Sequence, residues 1–159
     1  MSKEIVDVVI DYTNSTKNTL GLIPSRRQIE NTGGYVNNWS TDNFCHYVAE
    51  KTDNVVLVRD HGGPLQGEKK DNGKASLASD ISAGMEILHI DPWKAASTIH
   101  EGVHNSLKLI DFCLKKNENI LFEVGTEEAI FPYSPKDLDY ILVELQAALG
   151  TDFDKITHC

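Results

Sequence analysis

Arginine is scarce in this 159-residue chain: Arg26, Arg27 and Arg59 are the three it has, and 24 acidic against 15 basic side chains set a formal charge of −9. A surface this acidic attracts neither polyphosphate nor anionic lipid, which excludes non-specific nucleic-acid binding and membrane-surface binding. Cysteine is scarce too. Cys45, Cys113 and Cys159 are odd in number, widely spaced and lack a Cys-x-x-Cys clip, so they read as free thiols rather than a disulfide framework. No apolar run approaches the ~18 residues of a membrane span. Met1-Ser2-Lys3-Glu4 lacks the apolar stretch of a signal peptide, so a cytoplasmic location is expected. With 40% hydrophobic and 25% charged residues and no low-complexity linker, residues 1–159 read as one domain with a real core.

Four short apolar runs punctuate the chain: Leu20-Gly21-Leu22-Ile23, Val55-Val56-Leu57-Val58, Ile87-Leu88-His89-Ile90 and Ile120-Leu121-Phe122-Glu123-Val124. They start 35, 32 and 33 residues apart. Each is too short for a helix of its own, and near-continuous apolar runs suit parallel strands covered on both faces. Helical periods lie between them. Ile99, Val103, Leu107, Ile110 and Leu114 line one face after a cap at Ser97. Ser134, Pro135, the stripe Leu138, Ile141, Leu142, Leu145 and Leu149, and a stop at Gly150 define a second helix. Ser40 to Lys51 is a third, with Phe44, Tyr47 and Val48 inward. Ile5, Val8, Val9 and Tyr12 suggest an N-terminal helix, with a strand as its rival.

Strands alternating with helices define an α/β protein with a parallel sheet. Ankyrin and tetratricopeptide arrays share the ~33-residue period but lack such strands, and their signature residues are missing here. Two architectures remain: an open doubly wound sheet, and a (β/α) barrel of TIM type, which needs about 250 residues and would be incomplete at this length. Asp154-Lys155-Ile156-Thr157-His158-Cys159 reads as the start of a further strand, which favours the partial barrel.

Every apolar run leads into ionisable residues: Ser25-Arg26-Arg27-Gln28, then Arg59-Asp60-His61, then Asp91-Pro92-Trp93-Lys94, then Glu123 and Gly125-Thr126-Glu127-Glu128. Parallel α/β folds point their strand C-termini to one side, so these groups are expected to converge on one mouth. All three arginines fall there, and a guanidinium fork suits phosphate or carboxylate; ion pairs to Asp60 or Glu123 are the structural alternative. Asp60 and His61 offer a proton-transfer carboxylate beside a metal-capable imidazole, to which His89 and Glu123 can add. His100-Glu101-Gly102-Val103-His104 matches the zinc-protease pattern, but the inward stripe leaves both histidines on the helix shoulder, away from the mouth. The glycine-rich stretch from Gly62 to Gly73 fits no Walker or dinucleotide loop; a mobile cover and an ordinary solvated loop both suit it.

Four elements recur in order, about one barrel repeat apart: Arg27-Gln28-Ile29-Glu30 through Gly33-Gly34-Tyr35, Asp60-His61-Gly62-Gly63-Pro64, His89-Ile90-Asp91, and Val124-Gly125-Thr126-Glu127. In these the chain resembles the class II tagatose-bisphosphate aldolase accessory subunits, TIM-barrel proteins also called the non-catalytic subunit. Ser25-Arg26-Arg27 and Pro92-Trp93-Lys94 depart from that pattern and suggest a divergent branch. The resemblance implies a barrel of which this chain supplies about strands two to five of eight. It also implies a phosphorylated sugar as ligand and an aldolase catalytic subunit as partner; a half-open barrel would expose apolar strand edges, so aggregation or oligomers that cover them are expected. In related catalytic class II aldolases the aspartate of an Asp-His pair is the acid/base and the histidine binds zinc, roles that would fall on Asp60 and His61. The candidate set is then Asp60 and Glu123 for catalysis, His61 and His89 for a divalent metal such as zinc, and Arg26, Arg27, Gln28, Arg59, Asp91 and Glu127 for substrate. The alternative is a metal-dependent sugar-phosphate aldolase in its own right, with Asp60 as acid/base.

Overall fold

The apolar runs become parallel strands in the computed structural model, which describes residues 1–126 and 132–159. The strands are β1 (Leu20–Leu22), β2 (Val55–Gly62), β3 (Ile87–Ile90), β4 (Leu121–Val124) and β5 (Ile156–His158). They pair in chain order, β1-β2-β3-β4-β5, all parallel. Among the described residues β1 and β5 each pair on one side only, so an open sheet fits.

Helices fill the connections: α1 (Lys3–Thr16), α2 (Thr41–Ala49), α3 (Lys74–Ala83), α4 (Ile99–Leu114) and α5 (Pro135–Leu149). Ser134 and Asp137 cap α5 reciprocally and Gly150 stops it, as its sequence predicts. The α4 cap is Thr98, whose hydroxyl accepts from the Glu101 N–H, rather than Ser97; the Ser97 N–H instead donates to the Glu101 carboxylate. At the N-terminus the helix wins over the strand, but with another face inward. Val6, Ile10 and Thr13 are buried while Ile5, Val8 and Tyr12 are exposed, because apolar residues on both sides left the choice of face to tertiary packing. Helix α3, rich in alanine and serine, has almost no apolar stripe and is bracketed instead by Gly73 and Gly84, both at positive φ.

The core lies on one face of the sheet, where Leu22, Leu57, Leu88 and Phe122 meet Phe44, Leu77 and Ile110 of the helices. The alternate strand residues Val56, Ile87 and Leu121 stand outside that cluster and are half-buried, while Val58, also outside it, is buried. The apolar runs thus reflect one face packed in the core and another that is partly covered.

Gly102, inside the zinc-protease-like pattern, is required by packing. A Cβ there would stand 1.9 Å from a ring carbon of Trp93, whose side chain is almost wholly buried. Gly102→Ala should lower unfolding stability by about 1–3 kcal/mol through overpacking, against a helix-propensity gain of at most about 1 kcal/mol. Urea unfolding followed by circular dichroism checks this, and an unchanged midpoint would remove the packing role.

Candidate functional site

Strand β2 continues through Arg59, Asp60 and His61 to Gly62, so the ionisable residues lie within the strand rather than after it. Arg59 pairs with Leu88 and Gly62 with Ile90, so two residues, Asp60 and His61, oppose the single residue His89. This is a β-bulge, which re-aims side chains at a strand end. His61 takes φ 51°, a left-handed conformation uncommon outside glycine. Consecutive side chains that strict alternation would send to opposite faces now meet the same partner. Asp60 Oδ1 lies 3.7 Å from His61 Nε2 and 3.6 Å from His89 Nδ1, and the two imidazole centroids are 5.5 Å apart. One ligand atom from each of Asp60, His61 and His89 falls within 4.8 Å of the others.

The ring orientations are set from below. His61 Nδ1 is 2.7 Å from Asp91 Oδ2, and Asp91 is fully buried. Asp91 also accepts from Gln66 Nε2 and from the Trp93 N–H, while Lys94 Nζ donates to Gln66 Oε1. Surrounded by donors, the Asp91 carboxylate assigns the hydrogen of His61 to Nδ1 and turns Nε2 toward Asp60. His89 Nδ1 accepts from the His61 backbone N–H at 3.3 Å. Its Nε2 is buried and has no hydrogen-bond partner among the described residues. Burial pushes the Asp60 carboxyl up, but the His89 contact and the charges of His61, His89 and Arg59 outweigh it, leaving it below the usual aspartate value. Asp60 is thus held in its ionised form.

Ser25, Arg27, Gln28, Tyr35, Asp60, His61, Gln66 and Lys94 line a cavity of about 360 Å³ at this end of the sheet. The strand ends converge as expected, though not every candidate faces the opening. Arg27 is exposed there and forms no ion pair among the described residues. Gln28 is present, with Oε1 accepting from the Ser25 N–H. Glu123 sits beside His89 in the β3–β4 register and shares its sheet face. Asp91 acts behind the site, holding His61 and Gln66, instead of facing a ligand. Glu127 lies outside the described residues.

The other two arginines are structural. Arg59 is 0% exposed and spends its donors on both Asp80 oxygens, the Pro24 and Ile29 carbonyls and the Thr41 hydroxyl. Arg26, 2% exposed, is committed to Glu30, both Asp71 oxygens and the Gly63 carbonyl. Neither has a donor left for substrate, and their partners are not the Asp60 or Glu123 of the structural alternative. Arg26 also anchors both ends of the glycine-rich connection. A Cβ on Gly63 would come within 2.2 Å of the Asp91 carbonyl, and one on Gly73 within 2.4 Å of Gly63, so these ends are held in place.

Gln66 and Lys94 were outside the candidate site set, although Lys94 falls in the ionisable run that follows the third apolar stretch. The available signal was the bracketing of Gln66 by Gly63 and Gly67, which marks a close backbone approach but not what approaches. On α4, His100 Nδ1 instead meets the Tyr140 hydroxyl at 2.5 Å. Neither His100 nor His104 belongs to a metal-capable cluster among the described residues. Cys45, Cys113 and Cys159 are free as expected, and burial pushes the first two thiols up to about 12, which keeps them unreactive. No helix among the described residues is long and apolar enough to cross a membrane.

The architecture defines an α/β protein with an all-parallel sheet and a polar strand-end site. No family model matches the chain, and no curated protein matches it in sequence. Among solved structures it is similar to a probable tagatose 6 phosphate kinase from Sinorhizobium meliloti 1021, with a TM-score of 0.73 and 16% identity over 96% of this chain. The chain spans 44% of that protein's length.

Proposed function

We propose that this chain binds a phosphorylated sugar at its strand-end mouth, within a (β/α) barrel-type architecture, as an accessory subunit to a class II aldolase. The observation carrying the ligand reading is the convergence of Arg27, Gln28, Asp60, His61 and Lys94 on one cavity. An unpaired guanidinium suits a phosphoryl or hydroxyl-rich anion, and amide and carboxylate groups suit sugar hydroxyls. The structurally similar protein is a probable tagatose 6 phosphate kinase, which is consistent with a phosphorylated sugar as ligand. Strands in unbroken chain order, with the core on one face, support winding of the barrel kind.

His61 and His89 fit a divalent cation. Asp91 holds His61 through the ring nitrogen remote from Asp60, as metal-bound imidazoles are commonly held, and His89 keeps a buried nitrogen with no partner among the described residues. A bound cation would polarise a carbonyl oxygen as a Lewis acid. Asp60, kept ionised by its neighbours, would accept a proton from the substrate, while Arg27 holds the anionic end. This cluster favours a second reading, a metal-dependent lyase in its own right.

One assay separates the readings: ketose-bisphosphate cleavage by the purified protein, alone and with a class II aldolase catalytic subunit, with and without zinc. The accessory reading expects no cleavage alone and a rise in the partner's activity or stability. Zinc-dependent cleavage alone, lost in Asp60→Asn, establishes the lyase. Absence of sugar-phosphate binding in calorimetry rejects both.

A further inference from the structure

A second cavity, of about 180 Å³, lies between residues 26–33 and the start of α3, lined by Arg26, Arg27, Glu30, Lys69, Ala75 and Ser76 among others. Sites for drug-sized ligands occupy about 300–1,000 Å³, so this one suits a small group. Three cationic and three anionic side chains line it, but they are not equally available. Arg26 is saturated by Glu30 and Asp71, and those carboxylates are occupied in turn. Arg27, Lys69 and Glu68 remain exposed and without ion pairs among the described residues.

At its inner end the cavity offers donors. Gly73 precedes α3 and supplies no side-chain cap. Asp71 and Asn72 accept from the N–H groups of Gly73 and Lys74, and the Leu77 N–H goes to the Gly73 carbonyl. This leaves the Ala75 and Ser76 N–H groups at the positive end of the helix without a protein acceptor among the described residues. The independent observation is Ser76 itself. It lines the cavity, is 2% exposed, and its hydroxyl has no hydrogen-bond partner among the described residues.

We propose that this cavity is an oxyanion subsite in which the Ser76 hydroxyl, the first-turn N–H groups of α3, Arg27 and Lys69 hold the phosphoryl group of the bound sugar. The inference rests on the phosphorylated-sugar reading and adds where the phosphate goes. Arg27 lines both this cavity and the mouth containing Asp60 and His61, so one guanidinium can touch a ligand extending between them. Helix N-termini hold such anions because unpaired N–H groups and the helix dipole both favour negative charge.

Calorimetric titration with inorganic phosphate tests the site in the intact protein, in Ser76→Ala and in Arg27→Gln. Ser76→Ala removes one hydroxyl from a helix that tolerates alanine, so folding is retained. Phosphate affinity should fall about 10-fold or more in Ser76→Ala, in line with one lost hydrogen bond to a charged group, and at least as much in Arg27→Gln. Equal affinity in Ser76→Ala, or no phosphate binding to the unmodified protein at tens of millimolar, overturns the subsite. If phosphate is lost in Arg27→Gln but kept in Ser76→Ala, the subsite falls while the sugar-phosphate reading of the mouth survives.

Discussion

Replacing Arg59 with alanine is expected to lower the unfolding free energy by about 3–5 kcal/mol, because it leaves the carboxylate of Asp80 buried without its counter-charge. Both residues are fully buried, and the guanidinium contacts the two Asp80 oxygens at 2.7 and 2.8 Å. The same side chain also satisfies two carbonyls, Pro24 and Ile29, in the segment between β1 and α2. Losing it therefore opens several buried acceptors at once, against a total stability of only about 5–15 kcal/mol for a typical domain. Arg59→Lys should recover little, since an ammonium cannot reproduce the fork. The double variant Arg59→Met with Asp80→Leu removes both charges and should regain most of the loss. Urea unfolding of the three variants checks this. Native stability in Arg59→Ala would mean that the arginine is free for the substrate role its position after the second apolar run suggested.

On the proposed cation reading, Asp91→Asn should weaken zinc binding about 10- to 100-fold while leaving the secondary structure intact. Asp91 is fully buried and spends its oxygens on His61, Gln66 and the Trp93 N–H, so a direct ligand role is not what is lost. The amide turns a donor toward one of the three donors the carboxylate now accepts, and His61 loses the hydrogen bond that fixes its ring. Competition titration against a chromophoric chelator gives the affinity, and circular dichroism reports the fold. His61→Ala should reduce affinity further. If Asp91→Asn binds zinc as the unmodified protein does, the orientation of His61 does not come from Asp91.

The periodic parts of the molecule were legible in advance. The apolar runs at Leu20, Val55, Ile87 and Ile120 became β1 to β4, and the Ile156 segment became β5, because a strand's apolar content is a local property. Helix α5 was readable to its caps for the same reason. Helix α3 was not, since its burial comes from Ser76, Leu77 and Asp80 rather than from a stripe of large apolar residues. On α4 the buried face is centred on Gly102, Ser106 and Cys113 beside Val103 and Ile110, small residues that hydrophobicity alone underweights.

At the site, the local pattern was enough to bring Asp60, His61, His89 and Arg27 into one neighbourhood, because parallel strands in succession end on the same side. It was silent on which arginine stays available. Arg59 finds Asp80 21 residues away and Arg26 finds Asp71 45 residues away, and such partners are chosen by packing that no short window contains. The bulge is of the same kind. Asp60 and His61 are neighbours that alternation would separate, and only the pairing of β2 with β3, by setting two residues against one, turns both toward His89. Composition and periodicity thus decided the α/β class, the strands and the end of the sheet that carries the chemistry. Register and burial, which are relations between distant segments, decided which of those side chains are free to act.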